Sequence, residues 1–380
     1  MINLWLLKNG FVTNQNTRPL MSDKLSSFAY MLVTNPLFEY KYQIIQEDNV
    51  DKQAVNLFFL PVDKKYQEIK ETHWDVLIHY RESIEWCLNN NIVVIIERLW
   101  ELNEFNEKDY QKCKYLFDIS IDSPNLVFLW PGCTELDIFK SQCSPKISSK
   151  IFSYYYFIYF FRRIYEFYFD DNYFNFNVDS QSIVYDYSFV LGRVKNKSRK
   201  IFLQKYNEYN NNSLIYYYLN DKFYITENND KRFTDEVRPH KKILVWDKAI
   251  PYSFWQSKFN IHCETHISPI KKFLTEKSMK IMIPLRPAAT IGSVNQNKNL
   301  KEKLGFECYE EIFDYSLLDV RDNMPNAFQH LNEISKLPNN FFDQRIIKEK
   351  CLYNKQHFLD ISSNEYFYKT SMDLIESWIK

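Results

Sequence analysis

Asn91-Ile92-Val93-Val94-Ile95-Ile96-Glu97-Arg98 is the stretch on which the reading of the fold turns. Ile92 to Ile96 is an unbroken β-branched run with no polar residue alternating through it. Such a strand shows apolar side chains on both faces, so both must be covered, as in the middle of a parallel sheet. Outward from it, residues 54–60 form a second β-leaning run ended by Pro61, and residues 126–130 a third, closed by Pro131-Gly132. Shorter strands are expected at 75–79 and 115–121, and a short helix at 81–89. Strands at this spacing, joined by helical or loop crossovers, predict a Rossmann-like α/β domain. The first fifty residues give no decisive pattern.

Residues 150–169 read as a long helix leaving that domain, and the Asn-rich segment 170–179 as a linker. A second α/β unit opens with a strand at 184–191 and a helix near 198–209, followed by a strand at 214–219. A polar excursion over 226–242 precedes strands at 243–246 and 259–264, and from Met324 onward the pattern is mostly helical. The expected division is 1–175, 180–365 and a terminal amphipathic helix within 366–380, which is expected to pack back on the first domain.

After the 259–264 strand comes Phe273-Leu274-Thr275-Glu276-Lys277, which opens a helix expected over 275–285 with Met279, Ile281, Met282 and Leu285 on its apolar side. Thr275 is an N-cap type, which puts Glu276 and Lys277 in the first turn. A lysine there opposes the helix dipole unless an anion sits beside it. The plainer alternative is a capped surface helix with solvated Glu and Lys. Gly192-Arg193-Val194-Lys195-Asn196-Lys197-Ser198-Arg199 is a basic strand-to-helix loop, either an anion cradle or a solvated turn. Glu264 ends an apolar strand, and ligands on open α/β sheets bind at carboxyl ends. His262 and His266 read as ordinary polar residues, because strand and loop geometry does not hold an i,i+4 pair as metal ligands.

Cys263-Glu264-Thr265, Phe273-Leu-Thr-Glu-Lys277 and Arg286-Pro287 together resemble the donor-site signature of α-1,3-fucosyltransferases and their viral and bacterial relatives. The runs Asn299 to Phe306 and Phe313-Asp314-Tyr315 extend the resemblance through the C-terminal half. It implies a GT-B-like fold, two Rossmann-like domains facing a cleft, and an inverting, metal-independent sugar transfer to a glycan hydroxyl. The implied donor is a nucleotide sugar, GDP-fucose first. By the resemblance Glu276 holds the ribose, Lys277 the diphosphate, and Phe273 stands where the family commonly has Tyr. Arg193 and Arg199 both match the family's diphosphate-binding arginine, and Glu264 lies within the donor signature. Thr265 departs from the family's common Asn, which bears on sugar identity. Glu97, followed by Tyr115-Leu-Phe-Asp118, is the nearest analogue of the general base, ahead of Glu101 and Glu82. A salt-bridged surface Glu97 beside Arg98 is the alternative, and with it a nucleotide-sugar or glycan-binding protein that performs no transfer.

Composition bounds the partners. Across 380 residues, 48 Lys+Arg balance 48 Asp+Glu, so no global field draws the chain to nucleic acid. Hydrophobic residues make up 45%, enough for two real cores. The seven cysteines are scattered without a C-x-x-C pair, which argues against a disulfide framework or a structural zinc and for a reduced, cytoplasmic setting. Arg162 and Arg163 interrupt the most apolar stretch, 151–169, leaving at most peripheral membrane contact.

Overall fold

A computed structural model describes residues 1–6, 27–62, 79–98, 123–131, 151–154, 158–159, 162, 183–194, 197–206, 212–219, 222–227, 230–233, 252–264, 276–292, 295–318 and 324–379. The chain forms two compact units, Met1–Tyr156 with Ser363–Lys380, and Phe157–Ser362. Both are α/β and Rossmann-like, each built on one sheet. The division falls at Tyr156/Phe157, ahead of the segment 170–179 expected to be the linker.

In the first unit β1 (Ile2–Leu6) leads to α1 (Ser27–Thr34), β2 (Tyr40–Ile44) and β3 (Val55–Val62). Then follow α2 (Arg81–Asn89), β4 (Val93–Arg98), β5 (Leu126–Pro131) and β6 (Ile151–Tyr154). The order β2-β1-β3-β4-β5-β6 is parallel throughout, a doubly wound sheet whose direction of winding reverses between β1 and β3. Ile92 to Ile96 are all buried, as an interior strand flanked by β3 and β5 requires. The indecisive first fifty residues thus supply an interior strand, a helix and an edge strand.

Two expectations fail here. Pro61 does not end its strand: β3 continues to Val62, with Pro61 opposite Glu97 on β4. Among the described residues β1 pairs with β3 no further than Phe58, and where a strand has no partner on one side a missing N–H is tolerated. Residues 151–154, read as the start of a long helix, are instead the edge strand β6, where the β-branched Ile151 and the aromatic Phe152 and Tyr154 favour an extended chain. The strands expected at 75–79, 115–121 and 243–246 lie outside the described residues, apart from His79 just before α2.

The second unit opens with β7 (Tyr185–Arg193), α3 (Lys197–Tyr206) and β8 (Ser213–Leu219). The polar excursion begins within β9 (Lys222–Glu227), which forms an antiparallel pair with β10 (Asp230–Phe233) on the edge of the sheet. β11 (Ser257–Cys263), α4 (Glu276–Lys280) and β12 (Ala288–Ile291) follow, then α5 (Gln296–Leu304). The order β10-β9-β8-β7-β11-β12 contains four parallel strands from β8 to β12. The helix expected over 275–285 stops at Lys280, because Pro284 lacks the N–H that would bond the Lys280 carbonyl and its ring blocks the preceding turn. Gly305, at φ +76°, ends α5 in the left-handed region, and its N–H bonds Lys301 O at 3.0 Å.

Further helices are α6 (Tyr315–Leu318), α7 (Met324–Ser335), α8 (Asn339–Phe342) and α9 (Arg345–Ile361). They close the core around Phe259, which is fully buried and touches Tyr187, Phe313 and Phe342. A final helix, α10 (Asn364–Ile379), belongs to the first unit, where Phe367 and Trp378 lie against Phe28 at ring distances of 6.1 and 5.9 Å.

One contact in this unit carries a pH dependence. The Asp314 N–H donates to His330 Nε2 at 2.8 Å, so that nitrogen must be unprotonated. Burial lowers the His330 pKa below 6.5, against the opposing pull of Asp314 and Glu333. A depressed histidine contributes fully above its unfolded value and loses that contribution as pH falls below it. Urea unfolding at pH 5 and 7 is therefore expected to show an acid loss of stability that is smaller in His330→Gln. Equal losses in both proteins contradict the assignment.

Candidate functional site at the carboxyl ends of β7 and β11

From β7 the chain crosses to β8 on one side, and β11 and β12 lie on the other. The switch point of this sheet is therefore between β7 and β11, and ligands of open α/β sheets sit outside such a point. β7 ends there at Arg193 and β11 at Cys263, followed by Glu264. All seven residues of β11 are buried, since the strand has neighbours on both edges and cover on both faces.

A polar cluster is built into this position. Arg199, on α3, is 2% exposed and its Nη2 donates to Cys263 O at 2.8 Å. Glu264 is 1% exposed, with its N–H bonded to Ile291 O at 2.9 Å. One oxygen of its carboxylate accepts from the Ser278 hydroxyl on α4, and the other lies 3.4 Å from His262 Nε2. His262 in turn donates from Nδ1 to Val190 O on β7 at 3.1 Å, since a carbonyl can only accept. Burial pushes the Cys263 thiol up to about 11, with the Arg199 charge pulling the other way, so Cys263 stays protonated and is no nucleophile at neutral pH.

The expected donor residues are placed as follows. Arg199 and Glu264 meet in this cluster as buried struts between α3, β11 and α4. Arg193 closes β7 and Glu276 and Lys277 open α4, with backbone positions described and side chains outside the described residues. Phe273 and Thr275 lie wholly outside them, as does His266. Sequence reasoning passed over Ser278 and took His262 for an ordinary polar residue. The signal for His262 was available: a polar side chain within an interior parallel strand is buried and has to be bonded.

Glu97 belongs to the first unit and is fully buried at the end of β4. Its two oxygens accept from Phe28 N at 3.2 and 3.3 Å, at the start of α1, where a carboxylate complements the exposed N–H groups and the helix dipole. Glu97→Ala leaves that N–H without this acceptor and is expected to cost about 1–3 kcal/mol. Glu97→Gln keeps an acceptor and costs less. Denaturant unfolding decides it, and equal costs rule out the capping role. Glu82 is exposed in the first turn of α2, and Glu101 lies outside the described residues.

Among the described residues no three His, Cys, Asp or Glu side chains converge as a metal site, and no helix is long and apolar enough to cross a membrane. Four cysteines among them, Cys87, Cys263, Cys308 and Cys351, are free and buried. Fold and cluster define a two-unit Rossmann-like α/β protein with a polar switch point in its second sheet. Comparison of the sequence with protein-family models and with curated proteins finds no match to either.

Proposed function

We propose that the chain is a GT-B-like, inverting glycosyltransferase that takes its sugar from a nucleotide donor, GDP-fucose first, and transfers it to a glycan hydroxyl. The observation that carries this reading is the switch point between β7 and β11. The strand end that bears Glu264 and the helix start that bears Glu276-Lys277 are tied together there through Ser278. This is the connection that the donor signature occupies, at the sheet position where α/β proteins bind nucleotides.

In this reading the acceptor oxygen forms the new bond to the sugar's anomeric carbon while the bond to the diphosphate breaks on the opposite face. The hydroxyl proton passes to a carboxylate, Glu97 by the resemblance. Lys277 and Arg193 stabilise the charge that builds on the departing diphosphate. Glu276 holds the ribose, Phe273 packs near the base or the sugar, and Thr275 serves as the N-cap. No step needs a metal or a cofactor other than the nucleotide sugar.

Thermal unfolding with a panel of nucleotides and nucleotide sugars tests the donor half. A ligand that binds only the folded state raises the unfolding temperature by mass action. Stabilisation by one nucleoside diphosphate and its sugar conjugate is expected, and a folded protein that responds to none of them ends the reading.

A second reading, a nucleotide-sugar or glycan-binding protein without transfer, draws on the state of Glu97. Its carboxylate is fully buried and already occupied by the Phe28 N–H, which is a structural employment rather than a catalytic one. Nucleotide binding without transfer to any acceptor, with Glu97→Gln indistinguishable from wild type, selects it.

A further inference from the structure

We infer that the outer face of α9 is a self-association surface, on which a second copy of this chain docks with its own α9 antiparallel, about a two-fold axis between Leu352 and Tyr353. The inference goes beyond the transfer proposed above and does not rest on it.

α9 turns Ile347, Cys351, Asn354 and Phe358 inward, where all four are buried. Its opposite face leaves three large apolar side chains in water: Ile346, Leu352 and Tyr353 are 48, 56 and 46% exposed. Ile346 and Tyr353, two turns apart, line one side of that face and Leu352 the other. The exposed Arg345, Glu349, Gln356 and Asp360 lie between them. Neighbouring helices are not built this way. The exposed residues of α5 are all lysine or glutamate, and those described on α7 are Asn326, Gln329 and Glu333. A single exposed apolar residue is ordinary, but a group of them rimmed by polar residues marks a contact surface. Tyr353 is also held in place: its hydroxyl donates to Gly305 O at 3.1 Å, and its ring stacks on His357 at 5.5 Å. An anchor fixed beforehand loses little side-chain entropy when a partner covers it.

The charges choose the occupant. Arg345 stands in the first turn of α9 and Asp360 in the last, with no acidic residue in the first turn and no basic one in the last. Both placements oppose the helix dipole, which is positive at the N-terminus and negative at the C-terminus. An antiparallel copy reverses both penalties. Arg345 lies seven residues before Leu352, and Asp360 seven after Tyr353, so the two are equidistant from the axis. Arg345 therefore falls opposite Asp360 of the second copy, beside the negative end of its helix, and the two-fold repeats the pair. Leu352 meets Tyr353 of the second copy, and Glu349 meets Gln356 of the second copy. A parallel copy would instead set Arg345 against Arg345 and Asp360 against Asp360, which repel. One helix face buries less than the roughly 1,600 Å² of a standard interface, so the dimer is concentration-dependent rather than permanent.

Sedimentation equilibrium of the full chain at low salt, carried into the high micromolar range, is the experiment. A monomer–dimer equilibrium is expected for the wild type, and a monomer throughout overturns the inference. Arg345→Glu and Asp360→Lys each place like charges opposite one another twice per dimer. Each is expected to weaken self-association at least about tenfold. Mixed in equal amounts, the two variants face each other with opposite charges at both sites. The mixed dimer is expected to form within about threefold of wild-type strength, and no recovery in the mixture overturns the antiparallel pairing. Leu352→Ser removes the central apolar contact without touching a charge and is expected to shift the equilibrium to monomer. Wild-type association in that variant places the interface elsewhere and overturns the assignment. Thermal unfolding at low concentration, expected to be unchanged in all three variants, separates lost association from lost folding.

Discussion

Lys277→Ala is expected to lose transfer by a factor of about a hundred to a thousand, the usual cost of removing one preorganised donor of positive charge from a reacting centre. Its unfolding temperature without ligand is expected to stay at the wild-type value. Lys277 is the second residue of α4. The thermal stabilisation by nucleoside diphosphate disappears in the same variant. Coupled transfer assays and thermal unfolding on one preparation separate the two effects, and wild-type rates in Lys277→Ala end the proposal that this lysine holds the diphosphate.

Phe259→Ala acts on the fold rather than the chemistry. The ring is fully buried between Tyr187 at 5.4 Å, Phe342 at 5.9 Å and Phe313 at 5.7 Å, all centroid distances. These partners come from β7, from α8 and from the turn before α6, so the cavity left by alanine cannot be closed by one element moving. The expected cost is about 3–5 kcal/mol, from lost apolar transfer and the residual void. Phe259→Leu, which keeps most of the volume, is expected to cost much less. Denaturant midpoints measure both, and a loss under about 1 kcal/mol for alanine contradicts the placement of Phe259 at the centre of this core.

How far the sequence could be read follows from which residues had one physical interpretation. Residues 92–96 could only be an interior strand, because a β-branched run without polar interruption has no solvent face, and the strands around it were legible for the same reason. β1 and β2 were not. Ile2-Asn3-Leu4-Trp5 hides its polar residue, since Asn3 is buried and bonds Asn56 at 3.0 Å, and β2 is a largely exposed edge with little apolar signature. The 151–154 strand was lost in an aromatic stretch that suits helix and strand alike.

For the candidate site, position was readable and state was not. The end of the 259–264 strand pointed to the switch point, yet the burial of Arg199 and Glu264 depends on α3 and α4 covering them. His262 was misjudged because i,i+4 spacing to His266 drew the question towards metal ligation and away from the burial of an interior strand. Glu97 looked like a surface partner for Arg98. It is buried instead, and one of its partners, the Phe28 N–H, is far away in the chain and follows a segment whose pattern was indecisive.

The discontinuity of the first unit has a consequence for the order of synthesis. Residues 363–380 emerge from the ribosome only after every residue of the second unit, yet Phe367 and Trp378 complete the aromatic packing on Phe28. The second unit is continuous in the chain. The first unit, although made earlier, has to wait with part of its interior open until α10 arrives.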